Sequence, residues 1–536
     1  MSLIDKIVDE SNIREAIYSL KSNRGSKTPG VNGETIKDIL NNEDEIVKRI
    51  KYELKGKYIP GKVKRVKIPK RDGGVRPLGI PEIYDRVVQM CIKQILEPIF
   101  EKEFYQNSFG FRVSRSTEHA IALCYHMVNM SKLHFVVDID IKGFFDNINH
   151  KKLIKQLKRF KVIDNKILSI IKCMLKVETV LPNKEIILSE KGTPQGGILS
   201  PLLSNIVLNE LDWWIHSQWS GIKTKREYFN ASTKSRALKE TNLTEVKIVR
   251  YADDFKLFCR DRASAEKMFK LVKIFLKDRL KLDISEKKSK IVNLRKGYSY
   301  FLGIKFKAIK NRGKYTARSF VSEVATKEIQ KMAKEQIKEI QKRPTAQAVL
   351  LFNSKIRGVQ DYYRMATMIS IDFSKIGYII NRSLMTRLGK PSNKKDKKYK
   401  LRYKGYNHQV WNVADVTLFT LQACKFKIPK LFSAKNKVMI EDKFELDSVV
   451  DDLQLRAKLR HMRNSICDIT GEYIGGRDDF YVHWIIPKEH GGTDNIENLM
   501  ILHSSFKTIL NSENKEDYYK DNENYQKLLE TLSKYK

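Results

Sequence analysis

Two adjacent acids between two apolar runs constrain this chain more than any other feature. Tyr251-Ala252-Asp253-Asp254 lies inside Val246–Cys259, whose flanking stretches are rich in Val, Ile, Phe and Leu. Apolar runs on either side of a short polar break predict a β-hairpin, with the carboxylates at its turn. Two neighbouring carboxylates at a strand tip repel unless a cation lies beside them. A divalent metal is the usual answer, and Mg²⁺ takes oxygen ligands of this kind.

A second acidic site lies upstream, in Phe135–His150. Side chains alternate along a strand, so an extended run over 135–141 puts Asp138 and Asp140 on one face. Three carboxylates drawn from two strands can hold two Mg²⁺ ions. Such a pair clamps an attacking 3′-hydroxyl and a leaving pyrophosphate in line, which is nucleotidyl transfer. Between the two acidic sites lies Gly192-Thr-Pro-Gln-Gly-Gly-Ile-Leu-Ser-Pro201. Its glycines admit a ligand close to the backbone, and Gln195 can hydrogen-bond a nucleotide. Further upstream, Lys70 and Arg76 flank a turn at Arg71–Gly74, so a hairpin tip can carry two cations to a triphosphate.

Charge agrees with this chemistry. The chain of 536 residues has 102 Lys+Arg against 63 Asp+Glu, a formal charge of +39. That excess points to a polyanionic partner, and nucleic acid is the commonest. No apolar run reaches the roughly 18 residues of a membrane-spanning helix, so no membrane association is expected. The six cysteines are scattered without a Cys-x-x-Cys pair, which fits a reduced compartment and no disulfide framework. A cytoplasmic location in a bacterium, with the nucleoid or a ribonucleoprotein, is expected.

Along the chain, residues 1–60 read as helices broken by a turn-rich loop at Arg24–Gly33. Residues 61–80 read as two strands around the Arg71–Gly74 turn, and 82–103 as an amphipathic helix. Val136–Ile141 reads as a strand, Lys151–Phe160 and Ile167–Lys176 as helices, and Leu199–Ser217 as a long apolar helix. A polar, basic insert spans 221–245, and a helix covers 263–281. Strand and helix alternate without a regular βαβ period, so an α+β domain is expected. Beyond 320 the chain is helical and very basic. Gly389–Tyr406 interleaves lysines with tyrosines, which suits phosphate contacts with base stacking.

Together these segments resemble a reverse transcriptase of the group II intron-encoded maturase family, over nearly the whole chain. Asn23–Gly33 resembles its N-terminal extension and Ile68–Pro81 its fingers hairpin. Ser108-Phe-Gly-Phe-Arg112 and Gly192–Asn205 match its signatures. Phe301-Leu-Gly303 resembles its primer grip, and Leu351–Tyr363 its thumb, domain X. The resemblance implies a right-hand polymerase. Its parts would be an N-terminal extension (1–60), fingers and palm (61–310), a helical thumb (311–420), a basic DNA-binding segment (421–455) and an HNH-like domain (456–536).

It also implies roles. Asp140, Asp253 and Asp254 would be the catalytic, Mg²⁺-binding carboxylates, with two ions, and Asp138 the second choice for the first position. Phe144 or Phe145 would block a ribose 2′-hydroxyl. Lys70 and Arg76 would grip the triphosphate, Gln195 would touch the incoming nucleotide, and Lys288 would protonate pyrophosphate. The expected function is RNA-dependent DNA synthesis, with splicing help to a group II intron RNA and its reverse transcription during retrohoming. The expected partners are that RNA, a DNA target and primer, dNTPs and, for a homodimer, a second copy of the chain. The alternative is a domesticated reverse transcriptase in defence or repair, without a cognate intron.

The tail resembles an HNH endonuclease with losses. Where the family has His-His, this chain has His483-Trp484, and indole has no basic nitrogen for a general base. The expected Cys-x-x-Cys reads Cys467-Asp-Ile-Thr470, which costs a structural zinc one ligand. Phe506-Lys507 stands where Cys-His is usual. His483 and Asn498 remain as metal-ligand candidates, and His490 or His503 could supply a displaced base. The pattern implies a DNA-binding remnant whose nicking is lost or impaired.

Overall fold

The computed structural model describes residues 2–21, 23–69, 74–160, 163–229, 231–432, 467–470, 480–485 and 498–503, with Phe506 and Gln526. The chain divides into two compact units, Met1–Phe432 and Ser433–Lys536.

The first unit opens with short helices, Leu3–Ile7, Glu10–Lys21, Ile36–Asn41 and Glu43–Lys55. Ile13, Ile17 and Leu20 recur at helical spacing on Glu10–Lys21 and are buried against the helix Ile83–Glu103. The strands of this unit are β1 (Val63–Pro69), β2 (Val75–Ile80), β3 (Phe135–Ile139), β4 (Glu178–Val180), β5 (Ile186–Leu188), β6 (Val246–Tyr251), β7 (Asp254–Cys259), β8 (Lys290–Asn293), β9 (Ser299–Phe301), β10 (Ile304–Asn311) and β11 (Lys314–Val321). A pair, β12 (Asn412–Val413) and β13 (Val416–Thr417), follows.

Two four-stranded sheets and one three-stranded sheet result, with orders β2-β1-β4-β5, β6-β7-β3-β8 and β11-β10-β9. The sheet β6-β7-β3-β8 is antiparallel throughout. Its strands carry buried side chains on both faces, so the sheet lies inside the unit. Ile248, Leu257 and Val137 join one core with the Ser200–Ser217 and Arg262–Ile274 helices, while Val249, Phe258 and Val136 join another. That second core continues through Phe301, Phe306, Ile337, Phe352 and Phe373, so it runs into the helices Glu323–Lys342, Ala346–Tyr363 and Ile369–Leu388. No helix among the described residues is long and apolar enough to cross a membrane.

Most expected elements are present, and four differences stand out. The strand expected to reach Ile141 ends at Ile139, because Ile141 leaves β3 to bridge Ile284. The insert 221–245 contains a helix, Ala231–Lys239. The hairpin β10–β11 was not expected, although its two-residue Arg312-Gly313 turn is a recognisable hairpin link. Two of the three tyrosines of the basic stretch are not a stacking platform. Tyr399 and Tyr403 are buried with Val410 and pack on Phe419, at 6.3 and 5.3 Å between centroids. They anchor the helix Lys397–Arg402, and the lysines around them stay outside.

In the second unit, β14 (Phe480–Trp484) and β15 (Leu499–His503) pair antiparallel. Cys467 is buried, and its sulfur accepts a hydrogen bond from the His503 amide at 3.3 Å. Asp468 pairs with Ile501 through both its amide (2.8 Å) and its carboxylate (2.7 Å).

Candidate active site

The hairpin forms as expected, with Tyr251 opposite Asp254 and a two-residue turn, Ala252-Asp253. Ala252 has a positive φ of 57°, a conformation that costs a non-glycine residue about 1–2 kcal/mol. The two-residue hairpin turn requires it, and neighbouring chain packs against it. The Gly110 backbone lies so close that a Cβ would come within 2.2 Å of the Ala252 amide nitrogen. This explains the glycine of Ser108–Arg112: the segment Asn107–Phe109 pairs along the open edge of β6, and Gly110 then passes over the turn.

Asp140 reaches the same place from β3. Its amide donates to Ser289 Oγ at 3.2 Å, and its carbonyl accepts from the Ser285 amide at 2.7 Å. Its side chain is exposed, whereas Asp138 is buried. The two therefore have different surroundings. Asp138 faces Lys256 across the sheet, with Nζ at 3.0 Å, and accepts from Ser299 Oγ at 2.8 Å. Lys256 also lies 3.7 Å from Asp254. Burial works against its ammonium, but Asp254 and Asp138 outweigh that and hold its pKa above the ordinary lysine value.

The acids at the turn are strained electrostatically. Burial raises the Asp253 carboxyl, and Asp140 raises it further, while Arg76 and Arg250 act against the shift. Burial pushes Asp254 up to about 6 against the pull of Lys256, with Asp138, Asp253 and Asp140 adding repulsion. Its side chain still keeps 48% of its surface open, so a ligand can reach it. Among the described residues no three His, Cys, Asp or Glu side chains already close on one metal. The donor set nonetheless suits one: three carboxylates at one sheet end, two of them raised by burial, offer oxygen ligands to a hard divalent cation.

The loop Gly192–Gly197 is pinned by hydrogen bonds to the segment that follows Asp140. The Gly192 amide donates to Ile148 O and the Thr193 amide to Phe145 O, both at 2.7 Å. His150 Nε2 meets the Gly192 carbonyl at 2.7 Å. Gly192 has φ 87°, and a Cβ there would come within 2.8 Å of the Asp146 carbonyl, so the position requires glycine. Gln195 is half-buried. Its carbonyl accepts the Gly79 amide of β2 at 2.9 Å, and its side-chain amide donates to Asp146 at 3.3 Å. The loop thus ties β2, which carries Arg76, to the helical turn Phe144–Asn147.

Phe144 and Phe145 part company in this turn. Phe144 is buried in the core; Phe145 is half-buried, and its ring lies edge-on to Phe111 at 6.3 Å. Arg76 is exposed on β2, opposite Ile68. Lys70 lies outside the described residues. Lys288 is exposed in the turn that follows Ser285.

Three residues of this region were not picked out from the sequence: Lys256, Arg250 and Asp212. The signal existed for two of them, since Arg250 and Lys256 are charges inside otherwise apolar strand runs. Such charges are rarely buried without a partner.

In the second unit, His483 lies opposite Met500, and Asn498 precedes β15, its carbonyl accepting the Ile485 amide at 2.8 Å. His503 pairs with Phe480, three positions along from His483. That is roughly 10 Å of strand. His490 and Lys507 lie outside the described residues.

Comparison with known proteins agrees with both units. The model of the reverse transcriptase (RNA-dependent DNA polymerase) family matches residues 68–316, and that of HNH endonuclease matches 465–505. Protein YkfC of Escherichia coli (strain K12) is 33% identical over 325 residues, 58% of this chain and 84% of that protein. The group II intron-encoded protein LtrA of Lactococcus lactis subsp. cremoris is 29% identical over 428 residues, 68% of this chain and 69% of that protein. The putative COX1/OXI3 intron 1 protein of Saccharomyces cerevisiae is 28% identical over 324 residues, covering 54% and 37%. With the paired acids, the glycine loop and the β14–β15 pair inside the matched regions, the chain belongs to the group II intron-encoded reverse transcriptases that carry a C-terminal HNH-like unit.

Proposed function

We propose that this chain copies RNA into DNA at the β6–β7 turn, and that it binds, helps to splice and mobilises a group II intron RNA. The observation that carries the reading is the placement of three acids at one end of one sheet: Asp140 follows the last residue of β3, and Asp253 and Asp254 lie at the β6–β7 turn beside it. The similarity to intron-encoded proteins supports the choice of RNA partner.

In this reading Asp140, Asp253 and Asp254 hold two Mg²⁺ ions. When bound, such ions supply Lewis-acid activation of a primer 3′-hydroxyl and neutralise the charge of leaving pyrophosphate. The chain's own residues do the rest. Arg76, on β2, offers a charged donor to the triphosphate, and Lys70 is the second cation. Gln195, held by Gly79 and Asp146, presents one face to the incoming nucleotide. Phe145 is the sugar gate, since Phe144 is packed away in the core. Lys288 returns a proton to pyrophosphate. Residues 61–310 act as fingers and palm and 311–420 as thumb, with 1–60 as extension and 421–455 as a DNA-binding segment. Asp138 stays structural, neutralised by Lys256.

The tail, 456–536, binds target DNA without efficient nicking. Trp484 follows the metal-ligand candidate His483 on β14, and the register sets His503 three positions away along the strand pair. Priming then uses a nascent DNA strand at a replication fork. Efficient bottom-strand nicks by the purified ribonucleoprotein in Mg²⁺ would refute this part.

The polymerase reading is tested by primer extension on an RNA template, wild type beside Asp253→Ala. Extension by wild type alone supports it, and equal extension by both sinks it. The intron reading is tested by splicing of the RNA that flanks the gene, with and without the protein. No effect on splicing would leave a polymerase without an intron partner.

A further inference from the structure

Arg250 stands immediately before the Tyr251–Asp254 turn, and its guanidinium is fully buried, as is the carboxylate of Asp212. The fork is filled from one side by Asp212. Nε donates to both its oxygens, at 2.9 and 3.0 Å, and Nη2 donates to Oδ2 at 2.6 Å. Nη1 donates to Asn205 Oδ1 and to the Ala252 carbonyl, each at 2.9 Å. Asn205 and Asp212 are seven residues apart on the Ser200–Ser217 helix and so share one face. Asn205 extends the brace, because its Nδ2 donates to the Gly110 carbonyl at 2.9 Å.

A buried arginine–aspartate pair alone would be a matter of packing. The contact with Ala252 O is different. That carbonyl belongs to the peptide unit joining Ala252 to Asp253, and the unit is planar. Fixing its oxygen fixes where the Asp253 backbone starts. Ala252 is also in the left-handed region that the first residue of a two-residue hairpin turn adopts, a costly conformation for alanine. Gly110 packs against the Ala252 amide, and Arg250 holds its carbonyl.

We propose that Arg250, locked by Asp212 and Asn205, is a positioning residue that sets the Ala252–Asp253 peptide and so aims Asp253 during DNA synthesis. The proposal rests on the reading of Asp253 as a catalytic acid. Arg250 itself touches no substrate; it acts through the turn.

The test uses the full-length protein with Asn205→Ala and Arg250→Lys, beside wild type and Asp253→Ala. Asn205→Ala removes one arm of the brace while leaving the Arg250–Asp212 charges paired. Cooperative thermal unfolding establishes that each variant is folded, and steady-state primer extension on an RNA template gives kcat and KM. For Asn205→Ala a fall in kcat of ~10- to 100-fold is expected, as for a small misplacement of a reacting group. The KM for dNTP and the affinity for primer–template should hold, while half-saturation by Mg²⁺ moves upward. Arg250→Lys should show the same split if it folds; if it does not, Asn205→Ala decides alone. A folded Asn205→Ala with kcat within about twofold of wild type overturns the proposal. So does an equal loss of kcat and template affinity, which marks a merely structural role. If Asp253→Ala extends primers as wild type does, the underlying assignment of the site fails instead.

Discussion

Asp138 and Lys256 sit directly opposite each other on β3 and β7 and form a buried ion pair, 3.0 Å apart, behind the acids of the turn. Both side chains are almost closed to water, at 9% and 4% exposure. Removing one partner leaves the other charge without compensation. Lys256→Met should therefore cost about 3–5 kcal/mol. Denaturant unfolding measures this, and a loss under about 1 kcal/mol would mean the pair is not buried as described. Adding Asp138→Asn to Lys256→Met should recover part of the loss, because no charge is then stranded.

Phe144 and Phe145 are adjacent in sequence and should separate cleanly by experiment. Phe144→Ala opens a core cavity and is expected to cost about 3–5 kcal/mol. Phe145→Ala should keep most of the stability and raise incorporation of rNTPs relative to dNTPs by roughly 10- to 100-fold. Extension assays with each nucleotide set measure the ratio. A larger change in sugar selectivity from folded Phe144→Ala than from Phe145→Ala would reverse the assignment.

Two glycines with opposite surroundings give a further comparison. Gly110→Ala drives a Cβ into the backbone of Ala252, so the turn must move; activity should fall even where the protein folds. Gly358 lies inside the Ala346–Tyr363 helix, and nothing approaches its position within 4 Å. Gly358→Ala should stabilise by about 0.5–1 kcal/mol. Thermal midpoints of the two variants, measured together, should shift in opposite directions.

Acid should loosen the loop that carries Gln195. Burial lowers the pKa of His150, with Lys176 adding to it and the Gly192 carbonyl opposing. The folded value thus lies below the unfolded one, about 6.5. Stability from this group is complete above that pH and is lost as pH falls through it, because the unfolded chain takes up the proton first. His119, His126, His134 and His216 are shifted the same way, each by burial first. The unfolding midpoint should therefore drop from pH 7.5 to 5.5, and His150→Gln should drop less. An identical slope in both would show that His150 contributes nothing.

Much of this fold was legible because apolar periodicity and turn chemistry are local. The hairpin around Asp253, the helix Ile83–Glu103 and the paired strands β1 and β2 follow from such patterns. What escaped depends on distant partners. Tyr399 and Tyr403 read as exposed aromatics among lysines, and only Phe419 and Val410 turn them inward. Asp138 and Asp140 read as equivalent neighbours on one strand face. Lys256, Ser299 and the end of β3 at Ile139 make them different. Likewise Arg250 stands out as a charge in an apolar run, but its role shows only once Asp212, earlier in the chain, is seen beside it.

The order of strands across the β6-β7-β3-β8 sheet has a consequence for synthesis of the chain. Asp140 leaves the ribosome long before Asp253 and Asp254, and β8, which closes the outer side of β3, comes later still. Contacts between such distant segments are slow to form, since the intervening loop must first be closed. A nascent chain therefore carries its folded N-terminal helices while its acids remain apart. Any fragment that stops before Asn293 lacks a complete sheet. The acids come together in the complete sheet only after β8 has been made, so a product that stops before Asn293 should fail to copy RNA.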